Sequence, residues 1–112
     1  MKVDDVVTGV CVSFNTKKLL ETAYISIRRF HPTMKIVIVD GSNDTEAGKA
    51  CRDYVRSLVD SNLIKVYVGY NIGHGNGLAL GIDHVETPFF LTFDSDIEML
   101  KSPFQAMLYD GG

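Results

Sequence analysis

Tryptophan is absent and cysteine is nearly so: Cys11 and Cys51 are the only two among 112 residues. Two cysteines so far apart match neither metal-ligand spacing nor a disulfide framework. Both are expected as free, buried thiols, which fits a reducing, cytoplasmic setting. Proline is scarce, with Pro32, Pro88 and Pro103 each standing where a periodic segment ends or begins, so it punctuates elements rather than breaking them. No apolar run approaches the roughly 20 residues needed to cross a bilayer, so no transmembrane segment is expected. The acidic pair Asp4-Asp5 precedes the first apolar stretch, so no signal peptide is expected at this start. A formal net charge of -3 provides no positive field for nucleic acid.

What is present is ordinary for a soluble globular domain: 46% hydrophobic and 22% charged residues. A chain of this length buries roughly two-thirds of its unfolded surface, enough for one core. Apolar strand-like runs alternate with helical periodicity. Val6 to Ser13 reads as a strand. Asn15 or Thr16 then caps a helix whose apolar stripe is Leu20, Ala23, Tyr24, Ile27 and Phe30. Lys35 to Asp40 is a second strand, and Asp44 is placed to cap a second helix carrying Ala47, Ala50, Cys51, Tyr54 and Leu58. Ile64 to Val68 is a third strand. The glycine-rich stretch Asn71 to Gly81 leads into a short helix ending near Val85. Phe89 to Phe93 is a fourth strand, and Ser102-Pro103 opens a last helix with Phe104, Met107 and Leu108 on its apolar side. Continuous apolar strands alternating with helices predict an α/β fold with a buried parallel sheet.

Ligands of such sheets bind outside the carboxyl ends of the strands. Those ends carry Ser13-Phe14-Asn15, Asp40-Gly41-Ser42-Asn43-Asp44, Asn71 onward and Asp94-Ser95-Asp96. The opposite rim, with His31, Asp60-Ser61-Asn62 and Glu86-Thr87-Pro88, reads as plain turns, and His31 and His84 as surface residues. Asp94 and Asp96 follow a greasy strand. Residues two apart on an extended chain point the same way, so both carboxylates can face one hard divalent cation. The stretch Asn71-Ile72-Gly73-His74-Gly75-Asn76-Gly77 has neither dinucleotide-fingerprint nor Walker spacing. It is either a flexible loop or a place where side chains were removed so that a ligand or a neighbouring segment can come close.

Taken together, Val12-Ser13-Phe14-Asn15-Thr16, Val39-Asp40-Gly41-Ser42-Asn43-Asp44, Asn71-x-Gly73 through Gly81, and Phe93-Asp94-Ser95-Asp96 resemble, in order and spacing, the nucleotide-binding half of a family 2 glycosyltransferase of the GT-A fold. The resemblance implies a Rossmann-like parallel sheet of about four strands, order 3-2-1-4, with helices on both faces. It implies transfer of a sugar, with inversion, from a nucleotide-diphosphate sugar, a UDP-sugar first among them. Mg2+ or Mn2+ would sit on Asp94 and Asp96. The implied donor contacts are Val12, Ser13, Phe14 beside the base, Asn15, Asp40 to the base, Ser42, Asp44, Asn71, Gly73, His74, Gly77, Asp94 and Ser95.

Departures from the pattern stand out. Ala79 replaces the family's asparagine, and Gly73-His74 stand where a basic residue is common. The family's acceptor half has no counterpart in residues 1–112, so the expectation is a single donor-binding domain, truncated, with no catalytic base to name. The fourth strand would then be an open sheet edge, which predicts self-association. Other readings are a catalytically silent nucleotide-sugar-binding module, a nucleotidyltransferase and a receiver-type signalling domain. The last two want, respectively, a glycine-rich basic loop and an acidic pair after the first strand; Ser13-Phe14-Asn15 supplies neither.

Overall fold

A computed structural model describes residues 2–94; Ser95, Asp96 and the helix expected after Ser102 lie outside the described residues. The element order is α1 (Val3–Val6), β1 (Val7–Ser13), α2 (Lys17–Phe30), β2 (Lys35–Asp40), α3 (Glu46–Ser57), β3 (Leu63–Tyr67), α4 (His74–Ile82) and β4 (Phe89–Asp94). The strands form one sheet in the order β3-β2-β1-β4, and all three pairings are parallel. The α/β class and the strand order are therefore as expected.

The two central strands carry the core. Val10, Ile36, Val37, Ile38 and Val39 are fully buried, because each face of the sheet is covered. On one face α2 contributes Leu20, Ala23 and Ile27, and α3 contributes Cys51 and Val55, against Cys11, Ile36, Ile38 and Phe93. On the other face Leu78 and Leu80 of α4 pack on Val10, Val37 and Val39. Truncating a fully buried leucine such as Leu20 to alanine would cost about 2–5 kcal/mol. The outer strands are wetter. β3 is only half-buried, and Phe89 and Phe90 of β4 are 64% and 48% exposed. Cys11 and Cys51 are both fully buried, as expected. Among the described residues no helix is long and apolar enough to cross a membrane.

Several local expectations are corrected. Asp44 does not cap α3; Thr45 does, its side chain accepting from the Gly48 amide. Thr16 stands at the start of α2 without a side-chain capping bond. The buried face of α3 is Gly48, Cys51 and Val55, whereas Ala47 and Ala50 are exposed. The glycine-rich stretch is not a loop leading to a helix: from His74 onward it is the helix. A Cβ on Gly77 would lie 2.8 Å from a Val12 methyl, and one on Gly81 would lie 2.5 Å from a Val10 methyl. Side chains are missing there so that α4 can lie close on β1.

His31 is buried rather than superficial, and its Nδ1 lies 2.7 Å from Asp4. Asp4 also accepts from the Thr33 amide and hydroxyl. Burial pushes the Asp4 carboxyl up, but the bonds from His31 and Thr33 outweigh it and hold the group below its ordinary range. The turn Asp60–Asn62 on this rim is also tied down: Asp60 takes Arg28 Nε at 2.8 Å and the Tyr24 hydroxyl.

Candidate functional site

The carboxyl ends of β1 and β2 are sewn together by short polar side chains. Asp40 ends β2 and is 1% exposed. Its Oδ1 accepts from Ser13 Oγ at 3.1 Å, Ser42 Oγ at 2.5 Å and the Ser42 amide at 3.2 Å. Its Oδ2 is buried and has no hydrogen-bond partner among the described residues. A buried acceptor left unpaired costs about 1–3 kcal/mol, so it is a place where a donor group would be welcome.

Asn15 adopts φ 53°, the left-handed region that asparagine tolerates better than most residues. That turn lets its amide donate to Ser42 Oγ at 2.9 Å and its Nδ2 donate to Asn43 Oδ1 at 3.1 Å, while the Asn43 amide returns a bond to Asn15 Oδ1 at 3.2 Å. Arg52 of α3 donates to the Ser42 and Asn43 carbonyls at 2.7 and 3.0 Å. Gly48 permits this closeness, because a Cβ there would lie 2.1 Å from the Asn43 carbonyl oxygen.

The facing wall runs from the end of β3 into α4. The Tyr70 carbonyl comes so close to Gly41 that a Cβ at 41 would lie 2.5 Å from its oxygen. Asn71 Oδ1 accepts from the Gly73 amide at 3.1 Å, and Gly73 enters α4 with φ 89°, a conformation glycine adopts without strain. Asn76 Nδ2 donates to the Ile72 carbonyl at 2.9 Å. Between the walls lies a cleft of about 340 Å³ lined by Val12, Ser13, Phe14, Thr16, Asn71, Gly73 and His74. The first turn of α4 opens on it, so helix-start amides and the positive end of the helix dipole face the cleft. Nearby, burial raises the Tyr67 phenol, Arg56 lowers it and Asp40 raises it; the net shift is upward, and the ring stays neutral.

The structure brings together six of the residues expected at the donor: Val12, Ser13, Phe14, Asn71, Gly73 and His74. Thr16, read as a cap and as the end of the first-strand motif but not as a donor contact, joins them. Asn15, Asp40 and Ser42 lie behind the cleft as its framework. Asp44 stands apart, 93% exposed and 3.6 Å from Arg52. Gly77 serves the seating of α4. The Asp94 main chain pairs in register with Val12, one of the cleft's lining residues. Ser95 and Asp96 lie outside the described residues, and among the described residues no cluster of three His, Cys, Asp or Glu side chains could hold a metal.

A second cleft, about 490 Å³, opens on the other rim among Asp4, Asp5, Lys35 and Glu86. It is larger but lies at the amino ends of the strands, away from the rim where ligands of parallel sheets bind.

No curated protein matches the chain. Among solved structures, TarS 1–349 from S. aureus superposes with a TM-score of 0.69 at 18% identity, covering 93% of this chain and 31% of that one. The same protein in complex with UDP-GlcNAc gives 0.70 at 18%, covering 93% and 30%. The mannosyltransferase PcManGT from Pyrobaculum calidifontis, in complex with GDP-Man and Mn2+, gives 0.69 at 21%, covering 84% and 28%. These likenesses establish a shared GT-A-type fold, and the chain spans about a third or less of each of those proteins. The family model for glycosyl transferase family 2 matches residues 10–109, nearly the whole sequence, and on that match the chain belongs to glycosyl transferase family 2.

Proposed function

We propose that this chain is the donor-binding part of a glycosyltransferase that moves a sugar, with inversion, from a nucleotide-diphosphate sugar to an acceptor held elsewhere. One observation carries the reading: the cleft at the end of β1 is walled by Phe14 on one side and Asn71, Gly73 and His74 on the other, with Asp94 in register beside Val12. Its volume falls within the range of small-molecule sites. Neighbours with the same fold bind UDP-GlcNAc or GDP-Man, which supports a nucleotide sugar, a UDP-sugar first among them.

In this reading Phe14 flanks the base. Asp40 meets the base through Oδ2, the one buried side-chain oxygen among the described residues that lacks a donor. The start of α4, with Asn71 and Gly73, lies along the phosphates. Asp94 and Asp96 would hold Mg2+ or Mn2+, since hard divalent ions take one or two carboxylates plus substrate phosphates. The bound ion would neutralise charge gathering on the departing diphosphate. Ser95 stands between the two ligands. The acceptor must supply its hydroxyl opposite the leaving group, with a general base from beyond the described residues. The buried cysteines Cys11 and Cys51 fit a cytoplasmic protein.

A thermal-shift panel of UDP, GDP, CDP and TDP with and without manganese tests this. Stabilisation should follow RT ln(1 + [L]/Kd), about 2.7 kcal/mol at a hundredfold excess over Kd. Asp96→Asn should abolish the manganese-dependent part, and a mutant that responds like wild type would overturn the assignment.

A further inference from the structure

Four large apolar side chains stand exposed along one edge of the sheet. Val59 is fully exposed, and Ile64, Tyr67 and Tyr70 are 36%, 40% and 61% exposed. Among the described residues β3 is an outer strand, paired with β2 alone. Cations flank it. Lys49, Arg52 and Arg56 recur at i, i+3 and i+7, on one side of α3. That side faces β3: the Arg56 guanidinium lies 5.4 Å from the centre of the Tyr67 ring, and Lys65 Nζ donates to the Arg56 and Leu58 carbonyls at 3.2 and 2.6 Å. The bond to Leu58 also draws the Val59 turn to the strand. Asp44 offsets Arg52, and Asp60 is held by Arg28. Glu46 and Asp53 fall further round α3, on its outward face. Ser61 to Ile82 is the longest acid-free stretch of a chain whose net charge is -3.

We propose that this edge docks on an anionic lipid bilayer, an inference that goes beyond the donor-cleft reading and does not rest on it. Each lysine or arginine beside an anionic leaflet strengthens binding about fivefold. Tyrosine suits headgroup depth, because its ring is apolar and its hydroxyl wet. Val59 adds apolar area that no described residue covers. Neither cleft described above includes any of the four apolar residues, and a line of projecting side chains meets a plane more readily than it holds a peptide. Other exposed apolar pairs fit less well. Phe89 and Phe90 stand between Glu86 and Asp94, acids that lipid phosphates repel. Leu19 and Ile25 lie about 120° apart around α2, so a plane that meets one clears the other. The edge ends at Tyr70, the neighbour of Asn71 in the cleft wall, so docking brings the donor cleft to the lipid surface.

The test is co-sedimentation of the full chain with vesicles of phosphatidylcholine alone and of phosphatidylcholine with an equal part of phosphatidylglycerol. Wild type should bind the anionic vesicles at least about tenfold more tightly than the neutral ones. Salt raised from about 0.1 M to about 1 M should release it, because the screening length falls from about 10 Å to about 3 Å. Lys49→Glu with Arg56→Glu should cost at least about 25-fold. Val59→Ser, at a position with no packing to lose, should cost about tenfold with circular dichroism unchanged. Lys18→Glu with Arg29→Glu on α2 makes the same change in net charge and should cost less than about fivefold. The proposal is overturned if wild type binds neither vesicle or both alike, if the α2 pair costs as much as the α3 pair, or if Val59→Ser binds like wild type. Capture by dextran sulfate without capture by anionic vesicles also overturns it and assigns the edge to a soluble polyanion. The donor-cleft reading stands or falls separately, on the nucleotide panel.

Discussion

Gly77→Ala asks whether α4 is held by its contact with β1. A Cβ at 77 would stand 2.8 and 2.9 Å from the two Val12 methyls, against the about 3.5–4.0 Å of an ordinary carbon contact. Rotating Val12 does not help, because a β-branched side chain replaces one methyl with the other. The helix must lift by most of an ångström, and overpacking of this kind costs about 1–3 kcal/mol. Alanine returns about 1 kcal/mol of helix propensity, leaving a net loss of about 1 kcal/mol.

Gly75→Ala is the internal control. It lies in the first turn of the same helix and would meet nothing within 4 Å, so it should gain up to about 1 kcal/mol. The two variants should therefore differ by about 2 kcal/mol, roughly 8 °C or more in Tm for a domain near this size. Urea unfolding with matched m-values measures the gap. Equal stability of the two alanine variants would show that α4 is not seated on Val12, and the account of the cleft wall would fail with it.

Asp4 and Asp60 both titrate below their ordinary values: burial raises each, but His31 and Thr33 for the first, and Arg28, Tyr24 and Asn62 for the second, outweigh it. A depressed carboxylate contributes stability that is complete above its unfolded pKa of about 3.9 and is lost as pH falls through the lower folded value. Asp60→Asn should shrink that acid limb in urea titrations run below about pH 5, and an unchanged limb would contradict the pairing. Asn15→Ala should lose about 2 kcal/mol, from two cross-loop side-chain bonds and an alanine at φ 53°. Asn15→Gly should lose less, because only the bonds go; equal losses would remove backbone conformation from the account. If the open β4 edge pairs between copies, sedimentation at rising concentration should show dimer, and Phe90→Lys should suppress it; a monomer at all concentrations would discount the edge.

The sheet was legible because β1 and β2 are uniform apolar runs, a pattern that only strands buried on both faces can afford. The turn residues at the carboxyl ends were legible for the same reason: polarity after such a run has to go somewhere. What escaped the sequence was everything decided by distant partners. His31 looked superficial because Asp4, 27 positions away, supplies the bond that permits its burial. Asp44 and Thr45 are equally good caps in isolation, and the choice fell to Thr45 once Asn43 turned to meet Asn15. The glycines of α4 carry weak helix propensity; only the closeness of Val10 and Val12 explains why they form a helix there. Asn15, Ser42 and Asp40 were recognisable as belonging to the site, but not as its framework, since hydrogen bonds between two strand ends leave no local signature.

The two lips of the cleft are built to different tolerances. Around Gly41 and Gly48 a single added methyl has no room, whereas at Gly69 and Gly73 the space beyond the backbone is empty and only the left-handed φ constrains the choice. A side chain is thus admissible at the open position 75 and barred at 41 and 48, while 69 and 73 keep glycine for their φ. A laboratory selection for a different occupant would accumulate its changes on the upper lip and leave the lower one untouched.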